Sequence, residues 1–334
     1  MQISRWKKFR YRMEWLLLAG VAWSIPRLPR RICLELARFL GSLAYQVDRR
    51  GREVALANLA VVFGARYGES ERRSIARRSY QNFARTMLDL FWSPRLTQEN
   101  WRNYIEMAGD VEGFLRTRES DPTPGGVIMC VHWGNFEWAS LGAGFLGSST
   151  MIVTETFKNA RLSTLFSEAR ATSGHTIISQ ENSMIRLLKV VKRGGLAGML
   201  IDLTFPPGQV SVAIDAFGHK MSVTFLHAVL AQRGGALLIP MHGEPLPDGR
   251  VRAVFESPIS VPEGATPQQI AQICWDHFEP RIRERPELWM WAYKHWRYRP
   301  RAASPGDYPF YANCSAKFEE LLAKQPASAG KKRA

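Results

Sequence analysis

Four short, uninterrupted apolar runs, at 127–131, 151–154, 196–201 and 236–241, recur through the middle of this chain. Strands buried on both faces read this way, whereas a half-exposed strand alternates apolar with polar residues. Segments with helical spacing lie around them, at 136–143, 160–173, 182–193 and 223–233. Strands alternating with helices predict an α/β fold with a mixed, mostly parallel sheet flanked by helices. A further strand at 251–256 is reached through the turn Pro247-Asp248-Gly249. Ahead of the sheet, 52–63 and 70–92 read as helices, the second capped by Ser70. Thr266-Pro267 opens another helix that runs to Arg285 and stops before Pro286.

The 334 residues, 46% of them hydrophobic, suffice for a sizeable core. The net charge of +15 points to an anionic partner rather than a small neutral substrate. Residues 1–53 hold twelve Lys and Arg against four acids, so over half of that excess sits in the first sixth of the chain. Within it, 15–26 is free of charge but short of the ~20 residues a membrane span needs. A cleaved signal has such an apolar core, but Pro and Arg stand where small residues are expected. A second stretch, 32–45, is amphipathic. We therefore expect a basic membrane anchor lying on one leaflet, with Trp6, Trp15, Trp23 and Tyr45 at headgroup level; a helical hairpin packed on the protein's own core is the alternative. The domain reading is 1–50 anchor, 51–305 α/β domain and 306–334 C-terminal helix and solvated tail. The four cysteines are far apart and form no CxxC, which fits a reducing compartment and gives no metal site.

The first buried run leads directly into His132-Trp133-Gly134-Asn135-Phe136-Glu137. That sets His132 at the C-terminal end of a strand, where open α/β sheets bind ligands. Residues five apart do not share a helix face, so His132 and Glu137 meet only if Gly134-Asn135 bends the chain and Asn135 caps the next helix. In that arrangement Glu137 holds one imidazole nitrogen and the other takes a proton from an acceptor hydroxyl. The spacing alone is weak, although none of the other six histidines has an acid five residues on. A structural histidine at the sheet edge is the competing reading. The helix N-terminus beside His132 is able to receive a developing oxyanion. Gly142-x-Gly144-x-x-Gly147 follows a helix rather than a strand, so no dinucleotide site is expected, nor any other cofactor. The aromatic and basic residues at 289–299 do not read as a nucleic-acid site.

Several blocks, in order, carry a resemblance. His132-x4-Glu137 resembles the His-x4-acid motif of the lysophospholipid acyltransferase superfamily, with its glycerolphosphate-acyltransferase-like fold. Residues 53–63 (EVALANLAVVF), Arg193-Gly194-Gly195 through Asp202, Ala216-Phe217-Gly218, and Pro286–Trp291 with His295-Trp296-Arg297 resemble blocks of the bacterial lipid A late acyltransferases, the lauroyl/myristoyl group. The resemblance implies an enzyme that transfers a fatty acyl chain from acyl carrier protein to a hydroxyl of an anionic lipid A precursor. It places the enzyme at the cytoplasmic face of the inner membrane, with His132 as base and Glu137 as its partner. An acyltransferase on another lipid using acyl-CoA, or a non-catalytic lipid-binding homologue, stays open. Family members often carry Arg soon after the strand following the motif helix; here Lys158 or Arg161 would substitute. Asn135, Asp202, Gly218, His219 and Lys220 complete the candidate substrate-binding residues, although a solvated turn is the better reading of Asp215, Gly218, His219 and Lys220.

Overall fold

The computed structural model describes residues 4–109, 111, 124–155, 157–208 and 210–325; of the expected tail at 325–334 all but Gln325 lies outside them, as does Thr156. Four helices come first: α1 (Arg5–Ser24), α2 (Arg30–Val47), α3 (Arg49–Phe63) and α4 (Glu69–Trp92). Ser70 does not cap α4. Gly68 stands at the cap, its N–H donating to the Glu71 carboxylate at 2.9 Å, because the helix starts two residues before the one Ser70 would cap.

The α/β body follows with β1 (Ile105–Ala108), β2 (Gly126–Cys130), α5 (Phe136–Phe145), β3 (Thr150–Thr154), α6 (Ala160–Ala171), β4 (Thr176–Ser179), α7 (Ser183–Lys192) and β5 (Leu196–Leu200). Then come β6 (Ser211–Ala216), β7 (His219–Thr224), α8 (Leu226–Gly234), β8 (Leu237–Pro245), β9 (Val251–Phe255) and α9 (Pro267–Glu284). The chain closes with β10 (Tyr298–Arg299), β11 (Asn313–Cys314) and α10 (Ala316–Ala323). Seven strands form one sheet in the order β1-β9-β8-β2-β5-β3-β4. Every neighbouring pair is parallel except β8 with β9, so the expected mixed, mostly parallel sheet is present.

The four apolar runs are β2, β3, β5 and β8, and β2 is buried at all five positions, as a central parallel strand must be. Residues at 223–233 were expected as one helix. Instead Val223 and Thr224 end β7, an antiparallel partner of β6, and α8 starts at Leu226. The hairpin turns at Phe217 and Gly218, both at positive φ (54° and 81°), as a tight two-residue hairpin requires. Phe217 is held in that strained conformation by aromatic packing: its ring lies 5.6–6.2 Å from those of Trp275, Trp289, Trp291 and Trp296.

Among the described residues no helix is long and apolar enough to cross a membrane. Helix α2 packs against α4 and buries Cys33, Ala37 and Gly41, while α1 has no fully buried residue. Both present apolar side chains to solvent at helical spacing: Trp6, Phe9, Met13, Leu17 and Trp23 on α1, Phe39, Leu43 and Val47 on α2. Trp15 and Tyr45 do not join that face; the Arg161 guanidinium lies over Trp15, and Tyr45 meets Tyr80 edge to face.

Candidate active site

His132 leaves the C-terminal end of β2, and Asp202 leaves the same end of its parallel neighbour β5. The adjacency of those two strands joins residues seventy apart in sequence. The His132 Nδ1–H donates to Asp202 Oδ1 at 2.8 Å, and the His132 backbone N–H donates to Oδ2 at 2.9 Å. Trp289 adds its indole N–H to Oδ2 at 2.8 Å. Asp202 is completely buried, which by itself pushes its carboxyl up. The His132 ring, His295 and the hydrogen bonds outweigh that and hold it below its usual range. Behind it His295 stacks on Trp289, centroids 4.0 Å apart, and burial depresses its imidazole to about 4. Asn58 of α3 fixes this C-terminal segment, donating to the carbonyls of Trp291 and Tyr293 at 2.8 and 2.9 Å.

The turn after His132 is built as the spacing required. Gly134 sits at φ +63°, with the Gly243 carbonyl where a Cβ would stand, so only glycine fits. Asn135 caps α5, its Oδ1 accepting from the Trp138 N–H at 3.0 Å. Its Nδ2 donates to Asp89 Oδ2 at 2.7 Å. Asp89, 1% exposed, also binds Arg30 through both carboxylate oxygens, and the Arg30 guanidinium stacks on Trp138 at 4.5 Å. Helices α2, α4 and α5 are thereby tied at one buried carboxylate.

Glu137 does not reach His132's ring nitrogens in the role expected of it; Asp202 occupies that place. The first turn of α5 instead aims Glu137 at α6, where Arg170 donates through Nε and Nη2 at 2.6–3.1 Å. Burial lowers the affinity of Arg170 for its proton, but the Glu137 carboxylate outweighs this and raises it. Asp202 is likewise not a substrate-binding residue in this geometry, since it lies wholly behind His132. Arg170 adds a second cation to the cavity beside Lys158, paired with Glu137. It was missed because its pairing joins two helices thirty-three residues apart, with no local spacing to signal it.

His132 and Glu137 both line a cavity of about 660 Å³ that opens at the C-terminal edge of the sheet. Its walls are chiefly apolar, Phe136, Leu141, Leu200 and Met241 among them, with Arg170, Lys158 and Glu155 as charged members. Of the other candidates, Lys158 lines it, whereas Asn135 lies beneath as the cap and the Arg161 guanidinium lies over Trp15. Gly218, His219 and Lys220 are at the β6–β7 turn and line no part of it; Lys220 pairs with Asp215 at 2.9 Å. Among the described residues no cluster of His, Cys, Asp or Glu is arranged to hold a metal.

An oriented histidine at the mouth of an apolar cavity suits acyl transfer to a hydroxyl. A search of curated proteins finds no match to the chain. The family model for bacterial lipid A biosynthesis acyltransferases matches residues 3–298, nearly the whole of the described chain. The chain therefore belongs to the bacterial lipid A biosynthesis acyltransferase family and is an acyltransferase.

Proposed function

We propose that this enzyme, lying on the cytoplasmic face of the inner membrane, moves a fatty acyl chain from acyl carrier protein to a hydroxyl of a lipid A precursor. His132 is the general base and Asp202 its orienting partner. The observation that carries the reading is the 2.8 Å bond from His132 Nδ1–H to the buried Asp202, because it leaves the Nε2 lone pair for chemistry. Nε2 takes the proton as the acceptor oxygen bonds to the thioester carbonyl carbon. The tetrahedral intermediate then collapses, the C–S bond breaks, and the imidazolium returns the proton to the departing thiolate. Asp202 remains ionised throughout and stabilises the imidazolium. The Trp133, Gly134, Asn135 and Trp138 amides are committed elsewhere, so Phe136 and Glu137 at the start of α5 are the amide donors offered to the oxyanion. The Glu137–Arg170 pair is a fixed polar wall against which the acceptor hydroxyl is held, and Lys158 faces its phosphate. An excess of basic residues suits both an acidic carrier protein and an anionic lipid.

The test is transfer by purified protein from acyl carrier protein or acyl-CoA to a lipid A precursor, followed by mass spectrometry. His132→Ala is expected to lower the rate by roughly 10²–10⁴-fold, the usual contribution of a general base. Undiminished transfer by that variant would overturn the assignment, and a strict preference for acyl-CoA would remove the carrier protein from it.

A further inference from the structure

Val153, Met199, Leu226 and Val229 line one arm of the cavity, toward one face of the sheet; the other arm runs down the opposite face, which carries Ile128, Gly198 and Ile152, in register with the strands. On that face α5 packs on β8, β9 and β1 and α6 packs on β4, which leaves the strip over β5 open between them. Side chains alternate along a strand, so each second residue forms one rung of the floor. The upper rung is Cys130 with Leu200, one step below His132. The middle rung is Ile128, Gly198 and Ile152, which are paired across three adjacent strands. At the lowest rung Thr150 pairs with Leu196. There the space is closed by a cross-brace: His175 Nδ1 accepts from the Thr150 N–H at 3.3 Å, and its Nε2–H donates to the Ser140 carbonyl at 2.8 Å. Both imidazole nitrogens are used, and burial lowers the affinity of the ring for a proton, so a neutral group ends the groove.

Gly198 is the one position of the middle rung without a side chain. A Cβ there would stand 3.1 Å from both Ile152 Cγ1 and Thr150 Cγ2, so a methyl already crowds its neighbours and a larger group must rise into the groove. At about 3.3 Å per residue, the middle rung lies roughly 13 Å and the lowest rung roughly 20 Å below His132. With C–C bonds near 1.5 Å at tetrahedral angles, an extended chain advances about 1.25 Å per carbon, so these depths correspond to about ten and about sixteen carbons.

We infer that this strip holds the transferred acyl chain and that Gly198 is the residue that lets it accept chains longer than about ten carbons, the Ser140–His175–Thr150 brace setting the upper limit near sixteen. The donor is the substrate with a single chain to bury, and a single strip centred on β5 between two helices suits one chain. The inference rests on the acyltransferase reading above. It deepens that reading by giving the side of the sheet the chain occupies and the residue that sets its length.

The experiment compares wild type, Gly198→Val and Ala143→Leu, the last narrowing the same groove from α5. Each is assayed with acyl carrier protein charged with C8, C10, C12, C14 and C16 chains. For Gly198→Val, kcat/KM with C14 and C16 should fall by about 10–200-fold, the penalty for forcing one surplus group into a full pocket, while C8 changes little. Because either variant risks misfolding, stabilisation by free octanoate and hexadecanoate is read in parallel by thermal melting. Wild type should gain more from hexadecanoate and the variants more from octanoate. An equal loss at every chain length, or no change in preference in either readout, overturns the role of Gly198. Failure of the wild type to transfer any chain is a different result, because it removes the acyl-donor reading itself.

Discussion

Asp202 accepts three hydrogen bonds with two oxygens, and the division between them makes a specific prediction. Oδ2 receives the His132 backbone N–H and the Trp289 indole N–H, while Oδ1 receives only His132 Nδ1–H. An asparagine has one acceptor oxygen. It must turn that oxygen toward the two donors and present its NH₂ to Nδ1. The imidazole then carries its proton on Nε2, the nitrogen that acts as the base in the proposed mechanism. Asp202→Asn should therefore fold, bind substrate with nearly unchanged KM and lose roughly 10²–10⁴-fold in kcat, as expected for loss of an oriented general base. Steady-state kinetics checks this, and a variant within tenfold of wild type would show that orientation of His132 does not depend on this carboxylate.

At the scale of elements, the legible parts were those whose signal is local. The strands β2, β3, β5 and β8 are continuous apolar runs, and the cap at Asn135 is a matter of three residues. The bend at Gly134 was legible for the same reason, since positive φ there demands glycine. Edge strands were harder. β1 and β4 are four residues each, too short to establish a period, and β7 mixes His219, Lys220 and Ser222 with apolar residues. The site itself was half legible. His132 was marked by the strand that precedes it, but its partner depends on β2 lying beside β5 in the sheet. Glu137 was assigned that role because it is near in sequence. The fold turns it toward Arg170, since a buried guanidinium between α5 and α6 has greater need of a carboxylate than an imidazole already held by Asp202. Family-like blocks pointed to Asp202 and to Trp289, but not to the bond between them. Asn58, in the block at 53–63, and the C-terminal aromatic segment also proved to be two halves of one contact.

For the molecule as a whole, acid is the first stress to consider. His227 and His295 are fully buried, and burial depresses each to about 4. The unfolded chain titrates its histidines near 6.5, so between about 6.5 and 4 it binds more protons than the fold does, and stability falls as pH falls through that window. At pH 5 each histidine should cost about 2 kcal/mol relative to neutral pH. His227 has no hydrogen-bond partner among the described residues and lies apart from His132 and Asp202, so His227→Leu isolates the effect. Urea unfolding at pH 7 and pH 5 should show the variant losing about 2 kcal/mol less than wild type; equal losses would mean that His227 is not held neutral by burial.

The second whole-molecule property is the exposed apolar and basic face of α1 and α2, which we propose meets lipid. The apolar stripes of α1 and α2 face solvent, with Trp6 72%, Leu17 68%, Trp23 64% and Phe39 63% exposed. Such a run of exposed apolar groups is unfavourable in water and favourable at a bilayer boundary. Arg5, Lys8, Arg12, Arg27, Arg31 and Arg38 stand among them, suited to anionic headgroups. The opposite side of α1 meets the body near the cavity, where Asn159 donates to the Tyr11 carbonyl at 2.9 Å one residue beyond the cavity-lining Lys158. A membrane seated on these helices is therefore close to the cavity wall. Leu17 and Trp23 should each contribute about 1.5 kcal/mol on entering the interface, so Leu17→Glu with Trp23→Glu is expected to weaken vesicle binding by roughly a hundredfold. Co-sedimentation with vesicles of neutral and anionic lipid measures it, and added salt should weaken the anionic arm more than the neutral one. Binding by the double variant as tight as that of wild type would move the lipid-facing surface away from α1 and require a different route by which the acceptor reaches His132.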